Sequence, residues 1–148
     1  MAMTTKPSFE TTHEVRDACL CLHVQRAARA LARRFDDALG PIGLTNGQFS
    51  LMMSLNRPEP PDMGAVASLL GIDRTTLTAA LKPLQRRGLV KVKVDSADRR
   101  SRVMTLTAEG RKLLARAVPV WRRTHSAVEA LLPDGDSDGF RKNLRAVS

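Results

Sequence analysis

The sequence predicts a mainly α chain of the α+β class, a series of helices interrupted by one two-stranded hairpin. Three observations carry that reading. Apolar residues recur at intervals of three and four through most of the chain. Cap residues and Gly or Pro stops punctuate the recurrence. In one stretch only, 89–106, alternation with a period of two takes over.

In chain order, residues 12–39 read as one long helix, because Cys21, Val24, Ala28, Leu31, Phe35 and Leu39 fall on one stripe. Gly40-Pro41 stops it. Thr45 and Gln48 form a capping box that opens a second helix through Phe49, Met52 and Leu55. The proline-rich segment 57–61 then makes a stiff turn. Asp62 caps a short helix with Val66, Leu69 and Leu70 turned inward, and Gly71 ends it. Asp73 caps a fourth helix over 74–87, closed by Gly88. Pro83 removes one of its hydrogen bonds and should kink it. Residues 89–94 and 102–106 alternate as strands around a charged loop at 95–101. Thr107 caps another long helix, with Leu114, Ala117, Trp121, Val128 and Leu132 near helical spacing. Pro119 should bend it and Pro133 end it, leaving 140–147 as a last short helix.

The chain has 148 residues, the size of a single domain, here 1–148. No apolar run is long enough to span a bilayer, and residues 1–10 lack the apolar stretch of a signal peptide. Two cysteines two positions apart make no disulfide framework, so a cytoplasmic location is expected. The net charge of +9 is unevenly placed: residues 73–123 hold 14 Lys or Arg against four acids, a net of +10, so the remainder nets −1. A basic block carrying all the excess suits contact with phosphates. Four Phe, one Trp and no Tyr give few stacking platforms for single strands, so duplex DNA is the expected partner. No nucleophile motif, phosphate loop or paired carboxylates point to catalysis, and neither a cofactor nor a metal site is expected; His13, His23 and His125 are scattered.

Two short helices joined by Gly71-Ile72 and followed directly by a hairpin make a winged helix-turn-helix, spanning 45–106. The abrupt start at Asp73 lets the next turn enter a major groove about 12 Å wide. That turn offers small polar side chains, Thr75, Thr76 and Thr78, with Arg74 beside them and Lys82 further along. The loop carrying Asp98, Arg99, Arg100 and Arg102 is narrow and basic, as a minor groove or its phosphates require. The long helices at 12–39 and 108–147 carry more apolar stripe than this lobe can cover, so they are expected to dimerise two copies.

These residues resemble a known family. Leu69-Leu-Gly-Ile-Asp-Arg-Thr-Thr-Leu-Thr, Leu84-Gln-Arg-Arg-Gly-Leu-Val90, the wing Asp98-Arg-Arg-Ser-Arg102 and Leu106-Thr-Ala-Glu-Gly110 look like the MarR family of bacterial regulators, as does Leu44-Thr-Asn-Gly-Gln-Phe49. The resemblance implies a triangular homodimer that binds a palindromic operator and usually represses. It places Arg100 in the minor groove and has Asp98 orient the wing by pairing with an arginine. Ala79-Ala80 departs from the pattern, since many members carry an arginine there.

The resemblance also implies an effector, an aromatic acid, phenol or acyl thioester held between the dimer helices and the DNA-binding lobe; His23, Arg26, Met52 and Met53 are candidate lining. One alternative is redox sensing through Cys19, since Cys19-Leu-Cys-Leu-His23 resembles the first helix of the family's hydroperoxide sensors. Within one continuous helix, Cys19 sits mid-helix beside His23, about 200° from Cys21, which joins the apolar stripe as a small filler. The other alternative is an architectural protein that binds DNA without sequence preference.

Overall fold

The computed structural model describes residues 6–148. Helix α1 (Phe9–Ala18) is capped by the Ser8 hydroxyl, which accepts from the Thr11 amide, and α2 runs Leu20–Leu39. The single helix expected over 12–39 is therefore two helices, beginning earlier and broken at Cys19. Cys19 has extended backbone angles (φ −69°, ψ 108°): its N–H closes α1 on Val15, while its carbonyl accepts the His23 amide and opens α2. The stripe from Cys21 to Leu39 lies wholly within α2 and so carries no sign of the break, and no Gly or Pro marks it.

After α2, Gly40–Ile42 forms a 3₁₀ turn, and Gly43 (φ +79°) supplies the left-handed residue that reverses the chain. Helix α3 (Asn46–Ser54) opens on the expected capping box. Helices α4 (Met63–Leu70) and α5 (Arg74–Arg86) start on Asp62 and Asp73, and α4 ends on left-handed Gly71. The Asp73 carboxylate is held below its usual range by the Thr76 amide it accepts. Strands β1 (Val90–Val94) and β2 (Arg102–Leu106) pair antiparallel, with Val92 opposite Met104. An element the sequence did not signal joins them: the Met104 amide donates to the Pro61 carbonyl, and Asp62 bridges Val103, so the segment before α4 adds an edge to the hairpin. Helix α6 (Ala108–Glu129) and α7 (Ser137–Ala146) complete the chain. Pro83 and Pro119 both lie inside continuous helices.

The chain divides between Arg34 and Phe35. Among the described residues, all the buried apolar side chains lie in the second unit. Leu39, Leu51, Met52, Val66, Leu77, Leu84 and Met104 are closed from solvent, with Leu114 and Ala117 of α6 against them. Leu69, expected to face inward, is 69% exposed. Gly110 is needed where α6 meets β1: a Cβ there would collide with the Leu89 carbonyl oxygen. That close approach lets the Thr107 hydroxyl donate to the Gly88 carbonyl (2.6 Å) while accepting from the Gly110 amide (3.0 Å).

Candidate nucleic-acid interface

Helix α5 sorts its residues by face. Leu77, Leu81 and Leu84 enter the core, which leaves Arg74, Thr75, Thr76, Thr78 and Lys82 exposed. Arg74, Thr78 and Lys82 are four apart and so share one stripe. The Thr78 hydroxyl donates to the Arg74 carbonyl (2.9 Å), which fixes its rotamer and leaves its lone pairs outward.

The wing tip is closed by its own short bonds. The Asp95 amide donates to the Ser101 carbonyl (3.0 Å), and the Ser101 amide to the Asp98 carbonyl (2.9 Å). The Asp98 carboxylate accepts the Arg100 backbone amide at 3.0 Å. The expected pairing of Asp98 with an arginine side chain is thus replaced by a bond to an arginine's backbone; among the described residues no ion pair involves Asp98. The reason is local: a turn brings an Asx side chain to the amide two residues on more readily than to a long, solvated guanidinium. Arg99, Arg100 and Arg102 are all exposed.

The two parts meet. A cleft of about 530 Å³ is lined by Arg74 and Thr78 of α5, by Asp98, Arg100, Ser101 and Arg102 of the wing, and by Asp62, Met63 and Gly64 at the start of α4. Gly64 matters here, because a Cβ would stand 3.0 Å from Arg74 Nη2. Three guanidinium groups against two carboxylates, open to solvent beside a helix N-terminus, favour an anion at this edge.

A second hollow, of about 450 Å³, lies between α3, α4 and α6. Phe49, Met53, Leu69, Leu70, Val118 and Trp121 make it mostly apolar, with Ser50, Ser54 and Arg122 as its polar groups. Phe49 and Trp121 stack at 6.1 Å, and His125 stacks on Trp121 at 4.8 Å. Of the four expected lining residues, Met53 lines this hollow. Met52 is wholly buried in the core beneath it. His23 and Arg26 are exposed on α2, in the other unit. Trp121 and Arg122 were not singled out from sequence for this role; their place one helical turn beyond Val118 was the available signal.

At the helix junction the expected thiol chemistry changes. Cys19 is at the start of α2 and not mid-helix, and its Sγ accepts the Leu22 amide at 3.5 Å. The His23 ring lies against the Cys19 carbonyl (Nδ1 to O, 2.8 Å) rather than the thiol. Cys21 is exposed, with Gln25 donating to its sulfur at 3.2 Å, so it fills no core. Among the described residues, no group of His, Cys, Asp and Glu is placed to hold a metal, and no helix is long and apolar enough to cross a membrane.

The MarR family profile matches residues 44–101, which run from the start of α3 through the wing. MosR, a transcriptional regulator of M. tuberculosis solved in complex with DNA, is 38% identical; the likeness covers 87% of this chain and 92% of MosR with a TM-score of 0.79. CouR, a transcriptional repressor from Rhodococcus jostii RHA1 solved on a 23-mer DNA duplex, is 28% identical over 97% of this chain and 99% of its own, with a TM-score of 0.78. The transcriptional regulator HosA of Escherichia coli is 35% identical over 77 residues, 52% of this chain and 57% of HosA. The chain belongs to the MarR family of winged helix-turn-helix regulators.

Proposed function

We propose that the protein is a sequence-specific transcriptional regulator, a repressor that holds a palindromic operator as a homodimer and lets go when a small molecule binds. One observation carries the DNA-binding part: Arg74 and Thr78 of α5 and Arg100 and Arg102 of the wing open on a single cleft. In a duplex, Thr75, Thr76 and Arg74 would face base edges in the major groove while Arg100 enters the minor groove or meets its phosphates. Arg99, Arg102 and Lys82 would hold the backbone. Two-fold symmetry would set the second recognition helix one DNA turn away. The hollow between α3, α4 and α6 suits the effector, since apolar walls and one cation match a compact aromatic or acyl group with an acidic end.

The test is selection from a random duplex pool, followed by competition of the recovered site against random DNA. A regulator recovers a palindrome and keeps it at least about a thousandfold better than random duplex. A pool that returns no common sequence would make the protein an architectural one, bound by phosphates alone.

A second reading, oxidant sensing through Cys19, is favoured by the junction between α1 and α2, where an amide and a helix N-terminus face the sulfur. Cys19→Ser with Cys21→Ser separates the two. Effector control requires wild type and variant to hold the operator alike under mild hydroperoxide. Release by the wild type alone, reversed by a thiol reductant, establishes the redox reading.

A further inference from the structure

At the carboxyl end of the recognition helix, the corner between α2 and α3 is tied from two sides. Arg87, the C-cap of α5, donates from Nη1 to the Gly43 carbonyl at 2.8 Å, across 44 positions of sequence. Gly43 takes the left-handed turn there, and a Cβ on it would lie 3.2 Å from Arg87 Nη2, so glycine also leaves the guanidinium its place. On the other side, the Asp36 carboxylate in the last turn of α2 accepts both the Asn46 amide (2.7 Å) and the Asn46 side-chain amide (2.8 Å). The 40–46 corner is therefore anchored to α2 by Asp36 and to α5 by Arg87.

Leu77, Leu81 and Leu84 keep the inner face of α5 dry, but apolar contact is non-directional and tolerates small rolls and slides. A planar guanidinium with donors at fixed angles is directional. A helix some 13 residues long is a lever: a small rotation at its carboxyl end moves the exposed first turn, where Arg74, Thr75 and Thr76 lie.

We propose that Arg87 is a positioning residue for DNA binding: it fixes the carboxyl end of α5 against the Gly43 corner and so aims the first turn of α5, without touching DNA itself. This rests on the DNA-binding reading given above. Arg86, its neighbour of equal charge, is exposed, its side chain makes no hydrogen bond or ion pair among the described residues, and it serves as the charge control.

Arg87→Ala should weaken binding to the selected duplex about three- to tenfold, as loss of one directional hydrogen bond implies. The loss should be the same at every salt concentration, because removing a phosphate contact instead flattens the salt dependence by about one unit. In the free protein, amide exchange should quicken at residues 44–49 and in the last turn of α5, and in neither place for Arg86→Ala. Arg87→Lys, which keeps the charge but not the fixed-angle fork, should leave affinity and protection both below wild type. If Arg87→Ala melts, Arg87→Met, which keeps the apolar stem, takes its place. The proposal is overturned by a flattened salt dependence, by unchanged affinity, by unchanged exchange, or by a lysine that restores affinity without protection. If the wild type prefers no duplex, the sequence-specific reading is what fails, and exchange without DNA still decides whether Arg87 holds the corner.

Discussion

Residues 6–34 and residues 35–148 carry the same apolar rhythm, and only the second stretch buries it. Helix α1 has no buried residue and α2 has only Leu39, which lies beyond the division at Arg34. Phe9 and Leu20 are 73% and 75% exposed, and Val15, Leu22 and Val24 are exposed as well. In the second stretch Leu77, Leu84 and Met104 are completely enclosed. The difference teaches that a periodic stripe specifies a helix and a face, but not what covers the face. Helices α3 to α6 and the wing close a core among themselves. The apolar side chains of α1, and of α2 as far as Arg34, stay exposed, which suits the homodimer proposed above.

The sharpest break between the two stretches should come from deleting one core side chain. Leu77→Ala leaves a cavity in the enclosed lobe and should cost about 2–5 kcal/mol in denaturant unfolding, with DNA binding lost through the fold. Leu22→Asp, by contrast, places a charge on the uncovered face of α2. Its far-ultraviolet spectrum should be unchanged, while sedimentation should fall from about twice 16.2 kDa to that mass. The wild type's melting temperature should rise with concentration and the variant's should not. A wild type that sediments as a monomer would remove the comparison's premise and the palindrome with it.

The same contrast marks what could be read from the sequence. Caps at Thr45, Asp62, Asp73 and Thr107 are local chemistry, and each lies where its residue type places it. The hairpin and the exposed threonine face of α5 follow from periodicity in the same way. The break at Cys19 left no mark, because an extended backbone at negative φ needs no glycine. Nor did Leu69 announce its exposure, which depends on the hollow beneath α4 and not on its place in the stripe. The Arg87–Gly43 and Asp36–Asn46 bonds and the Pro61 edge of the wing join residues far apart in sequence, beyond the reach of local pattern.

A smaller effect should separate surface chemistry from core chemistry within the lobe. Arg100→Ala removes an exposed wing-tip charge, so melting should be unchanged. Binding to the selected duplex should weaken, and the salt dependence should flatten by about one unit. Affinity unchanged across a salt titration would take Arg100 out of the interface and leave the α5 face to carry recognition alone.

The smallest effect compares two aspartates, one on each side of the division, whose carboxyls are both held below their ordinary range. Asp17 owes this first to Arg16, its exposed neighbour on α1, and Asp36 first to the Asn46 amide of α3. A carboxyl whose folded pKa is depressed contributes stability at pH values above its unfolded pKa, and that contribution is lost as pH falls through the folded value. The sign is the same for both, but the consequences differ. The Arg16–Asp17 pair joins adjacent residues of one helix, so Asp17→Asn should barely move the melting temperature. Asp36 joins the end of α2 to the start of α3, so Asp36→Asn should lower it measurably at pH 7. An asparagine can still accept a hydrogen bond, but without charge, so the deficit against wild type should shrink once pH drops below about 4 and the wild-type carboxyl begins to protonate. Asp73 and Glu129, also depressed, titrate in both proteins and cancel in the difference between the two melting curves. A deficit that stays constant from pH 7 to pH 3 would mean that shape, and not charge, holds the 40–46 corner to α2.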